Sequence, residues 1–202
     1  MPRQREFDEQ EVLEKTMEVF WEQGFRRASM ADLEAATGVL RGSLYWAFGD
    51  KRAIFERALE HYRSLTRRSI SAHLEGDEPA ADLLRGALLA VAEDCTGAGG
   101  HRGCLVANSA IEMAPHDEEV RAALSRHYEW MADRFAELLD RAVAEGSLPP
   151  GRDPRALGRL VVVSIQGLRV VGKTGPRRED LESVVDELLA GLGLQNRLHG
   201  RK

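Results

Sequence analysis

The chain lacks much of what would point to a secreted, membrane or catalytic protein. It has only two cysteines in 202 residues, Cys95 and Cys104, too few for a disulfide framework, so reduced thiols are expected. No run approaches the roughly 20 apolar residues of a membrane span, and Met1-Pro2-Arg3-Gln4-Arg5 leads into no signal-peptide core. A cytoplasmic protein without membrane contact is expected. Strand-like alternation is missing, and the one β-branched run, Val161-Val162-Val163, sits within a helical frame. Zinc-protease, Walker and nucleophile-elbow motifs are missing too. Glu93-Asp94 and Glu118-Glu119 read more simply as solvated helix charges, so neither an enzyme nor a cofactor is expected. A net charge of −5 argues against coating nucleic acid by bulk charge, but leaves room for a local basic surface. The first 68 residues hold 12 Lys/Arg against 12 Asp/Glu, and the surplus acid lies beyond them.

What is present is helical periodicity from end to end. The informative stretch is Ser29 to Phe48. Ser29 suits a helix N-cap, with Asp32 in the capping-box position three residues on. Thr37-Gly38 stops that helix, because glycine enters the left-handed region at little cost. A second short helix runs from about Leu40 to Phe48. Two short helices joined by a tight glycine-containing turn form a helix-turn-helix, whose second helix reads the DNA major groove. Here that helix carries Arg41, Gly42, Ser43, Tyr45 and Trp46. They supply a guanidinium, room for close backbone approach, a hydroxyl and two aromatics with polar tips.

With the residues that follow, the run Thr37-Gly-Val-Leu-Arg-Gly-Ser-Leu-Tyr-Trp-Ala-Phe-Gly-Asp-Lys-Arg-Ala-Ile-Phe55 resembles the TetR family of bacterial transcriptional regulators. The resemblance is strong over residues 10–58. It implies that Arg41 approaches a base edge, that Gly42 admits the backbone to DNA, and that Ser43, Tyr45 and Trp46 hold phosphates or thymine methyls. Ser29 and Met30 would meet the DNA backbone, and Lys51 a phosphate. Core packing is the alternative for Tyr45 and Trp46. Two positions depart from the family pattern. Leu40 stands where Ser, Thr or Asn is usual, removing a side-chain cap, and Ala47 stands where a polar or aromatic residue is common.

Further expectations follow along the chain. Asp8 caps a first helix that ends at Gly24, with Phe25 and Met30 packing beneath the helix-turn-helix. A connector helix runs from Asp50 past Leu74 to the break at Gly76-Asp77-Glu78-Pro79. Helices are expected over 80–94, 104–113, 117–146, 154–173 and 178–192, with a flexible loop at 96–100 and a frayed tail from Gly193. The fold class is all-α: an N-terminal helix-turn-helix domain over 1–50, a connector over 51–76, and a helical-bundle domain for ligand binding and dimerisation over 77–202.

The last two helices have wide apolar faces. Leu157, Val161, Ile165 and Leu168, with Leu181, Val184 and Leu188, are expected to pair with a second copy; filling the monomer's own core is the alternative. Gly158, Gly167 and Gly172 leave room for close approach. The resemblance implies a homodimer on a palindromic double-stranded operator, and repression relieved when a small effector binds the C-terminal domain. Candidates for that pocket are Ile111, Met113, His127, Tyr128, Trp130, Met131, Phe135 and Gln166, with core packing as the alternative. Cys104 opens a helix after a Gly-rich loop, with Lys173 able to approach it. It reads either as a reactive sensor thiol or as a small packing residue. The resemblance bears on this choice, because a similar Gly-Cys-Leu start occurs in a branch with electrophile- and oxidant-responsive members. Cys95, His101 and Cys104 match no strong zinc spacing, so no metal is expected. The rival readings are an all-α enzyme and a helical interaction module without DNA binding.

Overall fold

The computed structural model describes residues 7–194. Arg3, Arg5 and the tail beyond 194 lie outside the described residues. The helices are α1 Glu9–Gln23, α2 Met30–Thr37, α3 Arg41–Phe48, α4 Lys51–Leu74, α5 Ala80–Thr96, α6 Leu105–Glu112, α7 Glu118–Ala144, α8 Pro154–Gly172 and α9 Arg178–Leu192. A 3-10 turn, Gly100–Arg102, occupies part of the stretch expected to be a loop. Among the described residues there is no strand, and no helix is long and apolar enough to cross a membrane. The fold is all-α.

The chain divides into two compact units. One holds the residues up to Thr66 together with Leu105–Arg121; the other holds Arg67–Cys104 and Ala122 onward. This division differs from the expected boundaries at 50 and 76. α4 and α7 each contribute to both units, and α6 belongs with the N-terminal helices. The physical reason lies in two carboxylates that sequence periodicity does not single out, Glu112 and Asp117, which bind backbone and guanidinium groups of the N-terminal helices.

In the first unit the buried side chains include Val12, Met17 and Phe20 of α1, Met30 and Leu33 of α2, Leu44 and Phe48 of α3, and Ile54, Phe55 and Leu59 of α4. Phe55 meets Phe20 edge-on at 5.2 Å and Phe25 at 5.0 Å between ring centroids. Each fully buried Leu or Phe contributes about 1.5–3 kcal/mol by leaving water. The short helices α2 and α3 are therefore held by a shared core, being too short to persist alone.

The second unit packs α5, α7, α8 and α9 about Leu84, Leu88, Phe135, Leu139, Val161 and Val185. Gly158 lets α8 close on α7: a Cβ there would lie 2.3 Å from the Ala132 carbonyl oxygen. Gly172 does the same against Cys95, where an added Cβ would stand 2.7 Å from that residue's own Cβ. Gly167, by contrast, faces open space.

Candidate nucleic-acid interface

The helix-turn-helix is built as its residue types require. Asp32 N–H donates to Ser29 Oγ at 3.2 Å, and Ser29 N–H donates to Asp32 Oδ2 at 2.8 Å, closing a reciprocal capping box at the start of α2. Those bonds from Ser29 hold the Asp32 carboxyl below its ordinary range. Gly38 ends α2 in the left-handed region at φ 73°, donating its N–H to Glu34 O. Leu40 precedes α3 with no side-chain cap bond and is exposed, so the departure at this position leaves the recognition helix uncapped by a side chain.

α3 divides cleanly between anchoring and display. Leu44 and Phe48 are buried, while Tyr45 is 48% and Trp46 74% exposed. Core packing is thus excluded for both aromatics within this chain. An exposed indole of that size on a two-turn helix needs an external partner to leave water. Arg41, Gly42 and part of Ser43 share the display side, and an added Cβ at Gly42 would meet nothing within 4 Å. The glycine therefore answers no packing need inside the protein.

Two expected contacts are placed differently. Met30 is 9% exposed and packs in the core of the first unit, which removes its side chain from the DNA-facing set. Lys51 donates to Phe25 O at 2.9 Å and to Ala28 O at 2.8 Å, with its ammonium 4.5 Å from the Phe25 ring centroid. Its first task is to hold the α1–α2 loop, and one of its three N–H groups remains for a phosphate. Sequence reasoning passed over Arg26 and Arg27, both exposed in that loop directly before the Ser29 cap. The adjacent basic pair was the available signal.

The expected effector residues scatter. Tyr128 and Gln166 line a groove of about 500 Å³ between α7 and α8, with Ser125, Ala132, Val162 and Val163. Among the described residues Gln166 Oε1 is buried there with no hydrogen-bond partner, and burial pushes the Tyr128 hydroxyl well above its ordinary range. His127, Met131 and Phe135 are core residues, with Trp130 half-buried beside His127. Ile111 is 74% exposed and Met113 is buried in the first unit, so neither lines the groove. Cys104 and Cys95 are both buried free thiols, and burial pushes the Cys95 thiol up. The Lys173 stem packs on Gly103, the neighbour of Cys104; a Cβ at Gly103 would fall 2.9 Å from Lys173 Cδ. Among the described residues no cluster of His, Cys, Asp and Glu could hold a metal ion.

The expected pairing face also needs correction. Leu157, Val161, Ile165, Leu168 and Leu181 are buried in the core of the single chain, and Leu188 is half-buried against the same core. Only Val184 of that set is exposed. The free apolar stripe of α8 is instead Leu160, Val163, Gly167, Val170 and Val171, spaced three, four, three and one along one side of the helix.

Comparison with known proteins agrees with this architecture. Residues 12–58 match the model of bacterial regulatory proteins of the tetR family, and residues 83–188 match a tetracyclin repressor-like C-terminal domain. The HTH-type transcriptional regulator YezE of Bacillus subtilis is 31% identical over 95% of this chain and 100% of its own. The HTH-type transcriptional repressor ComR of Escherichia coli is 26% identical over 93% and 90%. A cysteine mutant of the TetR family regulator CifR, solved with 26-bp double-strand operator DNA, superposes with a TM-score of 0.84 at 33% identity, covering 94% of this chain and 99% of that one. The chain belongs to the TetR family of bacterial regulatory proteins and is a DNA-binding transcriptional regulator rather than an enzyme.

Proposed function

We propose that the protein is a cytoplasmic, homodimeric repressor that sits on a palindromic operator and leaves it when a small molecule or a thiol-modifying agent acts on its second unit. One observation carries the DNA-reading half: Tyr45 and Trp46 stand exposed on a helix whose other side is locked into a core by Leu44 and Phe48. A protein with no external partner for α3 would have no reason to display that surface. The exposed stripe Leu160, Val163, Gly167, Val170 and Val171, with Val184 of α9, supports pairing with a second copy. Pairing would set two copies of α3 one DNA turn, roughly 34–36 Å, or a multiple of it apart.

For release, the α7–α8 groove and the orphaned Gln166 oxygen favour a ligand that brings a hydrogen-bond donor into largely apolar surroundings. Such a ligand acts only if it binds the DNA-free conformation more tightly than the DNA-bound one. Burial of Cys104 weighs against it as an open sensor, since reactive thiols need access. The test is binding to the DNA beside the protein's own gene at a fixed salt concentration, with and without an oxidant. Release of wild type but not of Cys104→Ser would place the trigger on that thiol. Indifference to oxidant in both would rule out the thiol as the trigger and call for a screen of ligands against the groove. Failure to bind any such DNA would contradict the reading.

A further inference from the structure

The loop between α1 and α2 is held from outside by groups that bond both polarities of its backbone. Glu112, at the C-terminal end of α6, accepts the Phe25 N–H at 2.9 Å and the Arg26 N–H at 2.7 Å. Lys51 donates to the carbonyls of Phe25 and Ala28 from the other side. Gly24 makes room for the carboxylate: at its φ of 79° a Cβ would lie 2.8 Å from Glu112 Oε2. A separate tie joins α4 to the residue before α7, with Arg52 donating through both terminal nitrogens to Asp117. The six residues 24–29, which have no helix of their own, are held by Glu112 and Lys51 through both backbone N–H and carbonyl groups. What this holds in place is the exposed pair Arg26 and Arg27, immediately before the capped N-terminus of α2.

Resting on the regulator reading above, we infer that Arg26 and Arg27 are operator-phosphate contacts and that Glu112 is their positioning residue, so that the α6 segment sets the grip of the DNA-reading head. The chemistry fits a phosphate. Two adjacent guanidiniums offer planar donor forks, and a loop pinned at its backbone loses little further entropy when they engage. Glu112 works through the backbone: it keeps its charge on the N–H groups and leaves the arginine side chains to face outward. Leu105 follows Cys104 directly in the chain, so α6 runs without a break from the end of the second unit's first segment to Glu112.

The experiment measures equilibrium binding of the purified full-length protein to DNA from beside its own gene, at several salt concentrations. It is combined with hydrogen exchange at the Phe25 and Arg26 amides in the free protein. Each phosphate contact contributes about 0.9 to the slope of log K against log salt. Because a homodimer loses the contact from both protomers, Arg26→Ala and Arg27→Ala should each flatten that slope by about two, with weaker binding across all sequences. Glu112→Gln should speed exchange at both amides, weaken binding and flatten the slope in the same sense, while α3 amides exchange as in wild type. Unchanged slopes in both arginine variants would overturn the phosphate assignment. Wild-type exchange at both amides in Glu112→Gln would overturn the positioning role. The arginine variants alter exposed loop side chains, so they test the idea even if Glu112→Gln folds poorly. A wild type that forms no complex at all would contradict the regulator reading itself, and this inference with it.

Discussion

Arg41 Nε donates to Glu34 Oε2 at 3.3 Å, so the guanidinium expected to read a base is tied to α2 in the DNA-free protein. The pair is exposed, and exposed pairs of this kind contribute only about 0.2–1 kcal/mol. The tie orients Arg41 without locking it, and Glu34 puts a negative charge near the DNA.

Glu34→Gln removes that charge and frees Arg41. Binding to operator and to unrelated DNA should both tighten by a few-fold at low salt. The ratio between them should fall, because the added attraction carries no sequence information. Titration of both DNAs against wild type and Glu34→Gln checks this.

Acid should loosen the first unit. The hydrogen bonds from Arg52 hold the Asp117 carboxyl below its ordinary range. A lowered folded-state pKa contributes stability above the unfolded value, near 4, and that contribution is lost as pH falls toward the folded value. Asp117→Asn abolishes the ion pair at every pH. The wild-type advantage in Tm should therefore be present at pH 7, shrink below pH 4 and vanish in stronger acid. An advantage that does not depend on pH would mean that Asp117 acts through shape alone.

The two apolar sides of α8 predict opposite failures. Val163 is 67% exposed and Val161 is fully buried. Val163→Arg should give a folded monomer with unchanged helix content and weakened operator binding. Val161→Arg buries an unpaired charge and should cost several kcal/mol of stability. Sedimentation and thermal unfolding separate the two.

Much of this was legible in the residues because it rests on local chemistry. The Ser29–Asp32 box, the Gly38 stop, the uncapped start at Leu40 and the display of Tyr45 and Trp46 all follow from neighbours within a few positions. α9 runs over the expected residues for the same reason. Legibility failed where one helix has two apolar stripes. On α8 a side chain at 161 and one at 163 are equally hydrophobic, and only the tertiary fold decides which faces the core. It failed again for Glu112 and Asp117, whose ties to Phe25, Arg26 and Arg52 span 65 or more positions along the chain and leave no periodic trace. Met30 is expected both to pack beneath the motif and to meet the DNA backbone, and its side chain lies in the core; Lys51 also holds the α1–α2 loop, through carbonyls 23 and 26 positions away that leave no local trace.

The measurement that bears most directly on the central claim is the affinity of an Arg41→Ala/Tyr45→Ala variant for the DNA beside its own gene, made on protein verified as a folded dimer. Two lost contacts in each protomer, at about 1–3 kcal/mol for each good base contact, should reduce specific binding by several orders of magnitude. Wild-type affinity in that variant would contradict the assignment of α3 as the DNA-reading helix.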